Sequence, residues 1–258
     1  MNLPNLFAER IKVIEIPNPL ADAHVHFGTC GLTGLEFFEA DVVNLVRRFG
    51  LDIVLVCPFD LDLHRTNLRV FELAKHTKEV KVLLRMSALS PFNDLLDLIQ
   101  DEHVAGVKFH PSMDKTPITN EHYTSSFKVL DDLGKCALIH CGRWEQVASY
   151  RFAIERAQQH PHVKVIIAHM GGNELANTKG AIEDSRSQEN IFLDTSNCRI
   201  SRMIEYAVEL LGDDRILFGS DTPWGNIPAN AAMILEAEVS SITKRKIMHD
   251  NLVKLVSR

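Results

Sequence analysis

The sequence predicts an α/β protein folded as a single (β/α)8 barrel over residues 1–258, and three observations lead there. Eight short β-branched runs recur along the chain, amphipathic stretches lie between them, and no Pro-, Gly- or Ser-rich linker or low-complexity segment breaks the alternation. Strands alternating with helices pair in parallel. Eight such units in about 250 residues is the usual size of a closed barrel. A doubly wound open sheet is the alternative, but it carries a phosphate-binding glycine fingerprint after its first strand. The stretch "HFGTCGLTG" has glycines without that spacing.

The first run is "ADAHVHFG", Ala21 to Gly28. In an extended strand side chains alternate, so Asp22, His24 and His26 are expected on one face and Ala21, Ala23 and Val25 on the other. "LDIVLVCPF", "VKVLLRMSAL", "AGVKFHP", "CALIHCG", "VKVIIAHMGG", "NIFLDTSN" and "RILFGSDTPW" follow in order as strands two to eight. Between them "GLEFFEADVVNLVRRFG", "NEHYTSSFKVLDDLGK", "RWEQVASYRFAIERAQQH" and "SRMIEYAVELLG" repeat apolar residues at three and four, as amphipathic helices do.

Composition narrows the function. Hydrophobic residues make up 45% of the chain and charged ones 24%, as in soluble globular proteins, and no apolar run approaches the roughly 20 residues of a membrane span. A net charge of −6, with no basic run longer than "TKRK", argues against a nucleic-acid partner. Five cysteines without a CxxC pair suit a reducing compartment, and the opening "MNLPNLFAERIKVIEIPNPL" has no signal-peptide pattern. The expectation is a cytoplasmic protein acting on a small molecule, with no nucleic-acid or membrane partner. A homo-oligomer is compatible with this, and nothing in the sequence fixes the oligomeric state.

In a barrel the C-terminal strand ends face one mouth, where catalytic groups gather. Here those ends carry His24 and His26, Lys108 and His110, His140, His169 and Asp221. A lone HxH is most often a pair of idle, hydrogen-bonded histidines. Partners change that reading, because a divalent ion needs three or four donors around one point.

With these residues in view, the chain resembles the metal-dependent amidohydrolase superfamily. Within it, the chain is most similar to amidohydrolase family 2, the branch containing aminocarboxymuconate-semialdehyde decarboxylase and related aromatic-acid decarboxylases. The resemblance runs through "DAHVHFG", "GVKFHP", "IHCG", "IAHMGG" and "LFGSDTPW" and spans nearly the whole chain. It implies that His24, His26, His140 and Asp221 hold one divalent ion, with zinc expected, and that His169 is a base or electrophile beside it. His169 could equally be a fifth ligand. The donor chemistry agrees: imidazoles and one carboxylate leave the ion positively charged, and Asp221 can both ligate and accept a proton from water.

Lys108 has two readings, a carbamate bridging two ions as in binuclear relatives, or an ammonium that anchors a substrate carboxylate. His110 lines the pocket or caps the turn at Pro111. Arg143 clamps an anionic substrate or is an exposed helix-start arginine. Phe27, Trp144 and Trp224 wall a pocket or pack, with Trp224 expected to touch substrate. Asp194 and Ser196 are read as structural, and Cys141 as a core residue pointing away from His140. The expected function is hydrolysis of a small amide, lactone or ester by metal-assisted attack of water. Its rivals are non-oxidative decarboxylation of an aromatic or unsaturated carboxylic acid, and a non-catalytic barrel that only binds metal or metabolite.

Overall fold

Every one of the eight expected runs contains a strand. In the computed structural model, which describes residues 15–31, 33–60, 62–88, 95–142, 145–200 and 202–257, the strands are β1 Leu20–Thr29, β2 Glu36–Phe37, β3 Leu51–Pro58, β4 Val80–Met86, β5 Val104–Phe109, β6 Cys136–Ile139, β7 Lys164–Ile167, β8 Ile191–Asp194 and β9 Ile216–Leu217. They form one curled sheet in the order β2-β1-β3-β4-β5-β6-β7-β8-β9, parallel except where β2 turns back on β1. The segment after β9 runs beside β1. Ala23 N donates to Phe218 O (2.9 Å), Asp221 N to His24 O (2.8 Å) and His26 N to Thr222 O (2.7 Å), and Val25 and Thr222 form a parallel bridge.

The two-residue strand β2 is the element that periodicity does not reveal. Residues 34–50 read as one helix, yet Glu36 and Phe37 pair with Thr29 and Gly28, and the helix α1 is Glu39–Phe49. Its start is set by Asp41, whose carboxylate accepts from Phe38 N at 2.9 Å, and its end by Gly50 at φ 61°. The stretch 143–160 likewise divides into Glu145–Ala148 and Tyr150–Gln159, because Ser149 Oγ accepts from Arg151 N and caps a new helix.

Alternation along the strands separates two apolar layers. Ala21, Ala23, Leu55, Cys57, Leu83, Leu138, Ile166 and Leu217 pack together inside the curl. Val54, Val56, Val82, Leu84, Val107, Ile139 and Val165 pack outward against helix residues such as Val42, Val70, Ala153, Ile204 and Ile234. Leu252 and Leu255, from the helix Asn251–Val256, join the inner layer. Lys164, the first residue of β7, donates from Nζ to Leu255 O at 2.7 Å, so this last helix covers the end where the strands begin. Burying each leucine contributes about 2 kcal/mol. No helix among the described residues is long and apolar enough to cross a membrane.

Strand β1 corrects the simple alternation expected for it. Asp22 pairs with Val54 and Val25 with Val56, so three steps on β1 match two on β3. That is a β-bulge, and it shifts the phase of every later side chain. Ala21 and Ala23 therefore share the inner layer, whereas Val25 and Phe27 lie in the outer one. Asp22 does not belong with the two histidines. Its Oδ1 instead accepts from His24 N (3.0 Å) and Ser220 N (2.9 Å), holding the bulge against the segment after β9.

Candidate metal centre

The polar residues cluster where the strands end, and three of them are reached through unusual backbone. His169 (φ 58°), Asn197 (φ 55°) and Asp221 (φ 56°) are all left-handed, a conformation that non-glycine residues adopt only when their surroundings hold them there. Close backbone approach supplies part of that hold. A Cβ on Gly142 would sit 2.9 Å from Gly172 Cα, so the "HCG" and "HMGG" turns that carry His140 and His169 pack backbone to backbone. A Cβ on Gly219 would come within 2.0 Å of Asp194 Oδ1.

Hydrogen bonds fix which nitrogen of each ring carries a proton. Asp194 Oδ2 lies 2.7 Å from His24 Nδ1 and 2.7 Å from Ser196 Oγ. An ionised carboxylate only accepts, so His24 Nδ1 and Ser196 Oγ both donate to it. Ser196 Oγ then accepts from His169 Nδ1, 2.8 Å away. His169 Nε2 is left with a lone pair, which accepts from His140 Nδ1 at 3.1 Å. By the same logic His140 keeps its lone pair on Nε2. Lys108 Nζ stands 2.8 Å from His24 Nε2 and can only donate, which places a lone pair there too. Three imidazoles thus have Nδ1 occupied by protein and a lone pair on Nε2, the orientation that metal-ligating histidines take from their outer partners, and an ion would displace the Lys108 and His140 donors from His24 and His169.

His26 faces both ways. Its Nε2 is 2.9 Å from Asp221 Oδ1 and its Nδ1 is 3.4 Å from Cys57 Sγ. Asp221 Oδ2 accepts from Asn197 Nδ2 at 2.6 Å, and Asn197 N is held in turn by Asn230 Oδ1 at 2.7 Å. Donor atoms of His24, His169 and Asp221 all lie within 4.8 Å of one another, as do those of His24, His26 and Cys57.

Electrostatics agree with the geometry. Burial opposes ionisation of Asp221, but His24, the hydrogen bond from His26, and His169 together hold its carboxyl well below the usual range. Burial also opposes ionisation of Asp194, and His24 overcomes it. Burial and the Lys108 cation push His24 down to about 3, so its ring is neutral. Burial lowers His169, and burial with His169 lowers His140 far below the ordinary histidine value. His26 is the exception: burial works against its charge, but Cys57 and Asp221 raise it to about 9. Burial lowers the Lys108 ammonium. Two carboxylates held ionised and three neutral imidazoles fit a divalent cation, and His26 must give up a proton to join them.

Other expected residues divide clearly. His110 stacks on His140 with ring centroids 3.9 Å apart, and its Nδ1 accepts from Met113 N, so it both lines the site and caps the turn at Pro111. Trp224 is half-exposed at the rim and packs on Phe59 at 6.0 Å, which meets His26 edge-on at 5.5 Å. Phe27 is wholly buried in the outer layer, and Cys141 lies there as well. Asp194 and Ser196, read as structural, hold the rings of His24 and His169 as well as nearby backbone. Arg143 and Trp144 lie outside the described residues.

Sequence reasoning passed over Arg85, Cys57, Phe59 and Asn197. Arg85 pairs across the sheet with Lys108, and its guanidinium is tied to Asp114 at 2.6 Å, which also accepts from Tyr123 Oη at 2.9 Å. A lone arginine inside "VLLRMS" was the available signal.

The model of the amidohydrolase family matches residues 66–257. The chain belongs to this family. A comparison with curated proteins gives no match. Among solved structures, the fold is similar to that of 2,6-dihydroxybenzoate decarboxylase from Rhizobium, with TM-score 0.73, 14% identity, and coverage of 92% of this chain and 98% of that one. It is similar also to a dihydroxybenzoic acid decarboxylase from Polaromonas with bound manganese and the inhibitor 2-nitroresorcinol (TM-score 0.71, 13% identity, 93% and 97% covered). A third is an amidohydrolase from Burkholderia multivorans with bound zinc (TM-score 0.70, 13% identity, 92% and 98% covered).

Proposed function

We propose that this chain is a metal-dependent hydrolase of a small amide, lactone or ester. On this reading it is a single closed (β/α)8 barrel over residues 1–258 that works in the cytoplasm on a small molecule, without nucleic-acid or membrane partners, alone or as a homo-oligomer. The hydrogen bonds between β1 and the segment after β9 support the closure. His24, His26, His140 and Asp221 hold one divalent ion, zinc by preference. The observation that carries the reading is the convergence of ring nitrogens of His24, His26 and His169 on an ionised Asp221.

When bound, the ion supplies Lewis acidity, polarising a substrate oxygen and making water acidic enough to ionise near neutral pH. Asp221 Oδ1 takes the proton from the attacking water and returns it to the leaving atom. Asn197 holds the other oxygen, so the carboxylate does not rotate as it changes charge. His169, neutral and fixed by Ser196, orients the water or the substrate oxygen. Lys108, beside His24, supplies positive charge for a substrate anion, with Arg85 on the adjoining strand already paired to Asp114, while Phe59 and Trp224 offer an apolar wall beside His26. His110 packs behind His140, and Arg143, directly after that turn, is assigned to the substrate's anionic end.

Decarboxylation is the second reading, favoured by the likeness to the two dihydroxybenzoate decarboxylases. There Asp221 would deliver a proton to carbon. That role needs Asp221 protonated before it acts, whereas the hydrolytic role starts from the ionised form in which the site holds it. Metal-loaded protein should be tested on lactones, N-acyl compounds and aromatic acids with products identified. Hydrolysis products without carbon dioxide are expected; release of carbon dioxide from an aromatic acid overturns the hydrolase assignment.

A further inference from the structure

The inner layer of the sheet is apolar up to the level of Cys57, and there it changes character. Cys57 ends the inward-facing series Ile53, Leu55, Cys57 on β3, and its Cα is the cross-strand partner of His26. The side chain is fully buried. Its Sγ lies 3.4 Å from His26 Nδ1 and 3.5 Å from Val25 O, with one donor atom each from His24, His26 and Cys57 mutually within 4.8 Å. Among the described residues it is the one cysteine whose sulfur joins such a grouping. Cys141 is turned to the outer layer, and Cys136 sits at the opposite end of its strand.

Resting on the divalent-ion reading above, we propose that Cys57 joins His24 and His26 in holding the divalent ion, the grouping in which its sulfur lies. Ala23 and Leu55 fill the same layer without a polar atom, whereas the Cys57 sulfur is placed against an imidazole nitrogen. Binding converts the thiol and the ion to a metal–thiolate bond, and the thiol proton leaves to solvent. Thiolate is a soft donor, and it selects zinc, cobalt or cadmium over manganese and magnesium. The metal preference of this chain is therefore written on β3, outside the histidine and aspartate ligands that the motifs announce.

The test is spectroscopic and needs no substrate. Full-length metal-free protein is titrated with cobalt(II), and zinc-loaded protein is examined by X-ray absorption. The expected result is a sulfur-to-cobalt charge-transfer band in the near ultraviolet, lost in Cys57→Ser and kept in Cys141→Ser. One zinc–sulfur distance of about 2.3 Å should accompany it. Zinc affinity should fall at least about tenfold in Cys57→Ser while manganese affinity stays nearly constant. Stoichiometric cobalt or zinc binding with only nitrogen and oxygen neighbours overturns the sulfur ligand and leaves the metal reading standing, as does a band that survives Cys57→Ser. Failure of the wild-type protein to bind either ion overturns both. The wild-type X-ray measurement decides the matter even where Cys57→Ser does not fold.

Discussion

Oδ2 of Asp194 sits 2.7 Å from Nδ1 of His24, across 170 residues of sequence. This contact decides which nitrogen of His24 faces the candidate ion, and both groups are fully buried. Removing the carboxylate leaves His24 free to take the other tautomer or to turn. Asp194→Ala should therefore weaken metal binding by about 10–100-fold without removing any ligand. Competition with a chelator of known affinity measures it, and an unchanged affinity would show that the contact only fills space.

Asp221→Asn separates binding from chemistry. The amide keeps the shape and one oxygen donor but loses the charge and the basicity. At matched metal content kcat should fall by about 10²–10⁴, with KM changed much less, because the lost interaction is made mainly in the transition state. Near wild-type kcat in a metal-replete variant would move the proton-transfer role to His169.

The bulge in β1 makes a prediction about which side chains matter. His24→Ala and His26→Ala should each lose metal, whereas Cys141→Ala should bind it as the wild type does, since Cys141 packs in the outer layer. Elemental analysis after zinc reconstitution gives the answer. Equal losses in all three would place the inward face one residue out of register.

Asp22 predicts a pH dependence of stability in the metal-free protein. Burial pushes its carboxyl up to about 7, and among the described residues its Oδ2 has no hydrogen-bond partner. In an unfolded chain the same group titrates at about 3.9. The folded form thus holds the proton more tightly, so the contribution is fully present below about pH 4. It is lost progressively as pH rises toward 7, and the loss levels off above that. Asp22→Asn removes the titration, so its urea midpoint should decline less than that of the wild type between pH 4 and 7. Parallel profiles would mean that Asp22 is ionised in the fold.

Much of this was legible in the sequence. The eight strand runs depend on local β-branched composition, and His24, His26, His140, His169 and Asp221 occur in short motifs at strand ends. What stayed hidden depends on contacts between distant segments. The bulge between Asp22 and Val25 exists because Asp22 is bonded to Ser220, and no local pattern encodes that partner. Asp194 and Ser196 look like ordinary turn residues until His24 and His169 are placed beside them. Cys57 has the appearance of one more small apolar residue in "LVCPF". Arg85 was overlooked because its partner, Asp114, lies on a different turn of the chain. Asn197 gave no signal, since its left-handed backbone is a product of the pocket it stands in.

The seam between β1 and the segment after β9 gives the site a position in time as well as in space. His24 and Asp221 are joined there by a backbone hydrogen bond, yet one is near the start of the chain and the other is far along it. During synthesis the two histidines emerge first and wait for most of the protein before their carboxylate partners, Asp194 and Asp221, exist. A chain cut anywhere between them yields two pieces, each with part of the donor set. On the proposed ligand set, full coordination is therefore a property of the finished chain, and metal capture would double as a check that the segment after β9 has found β1.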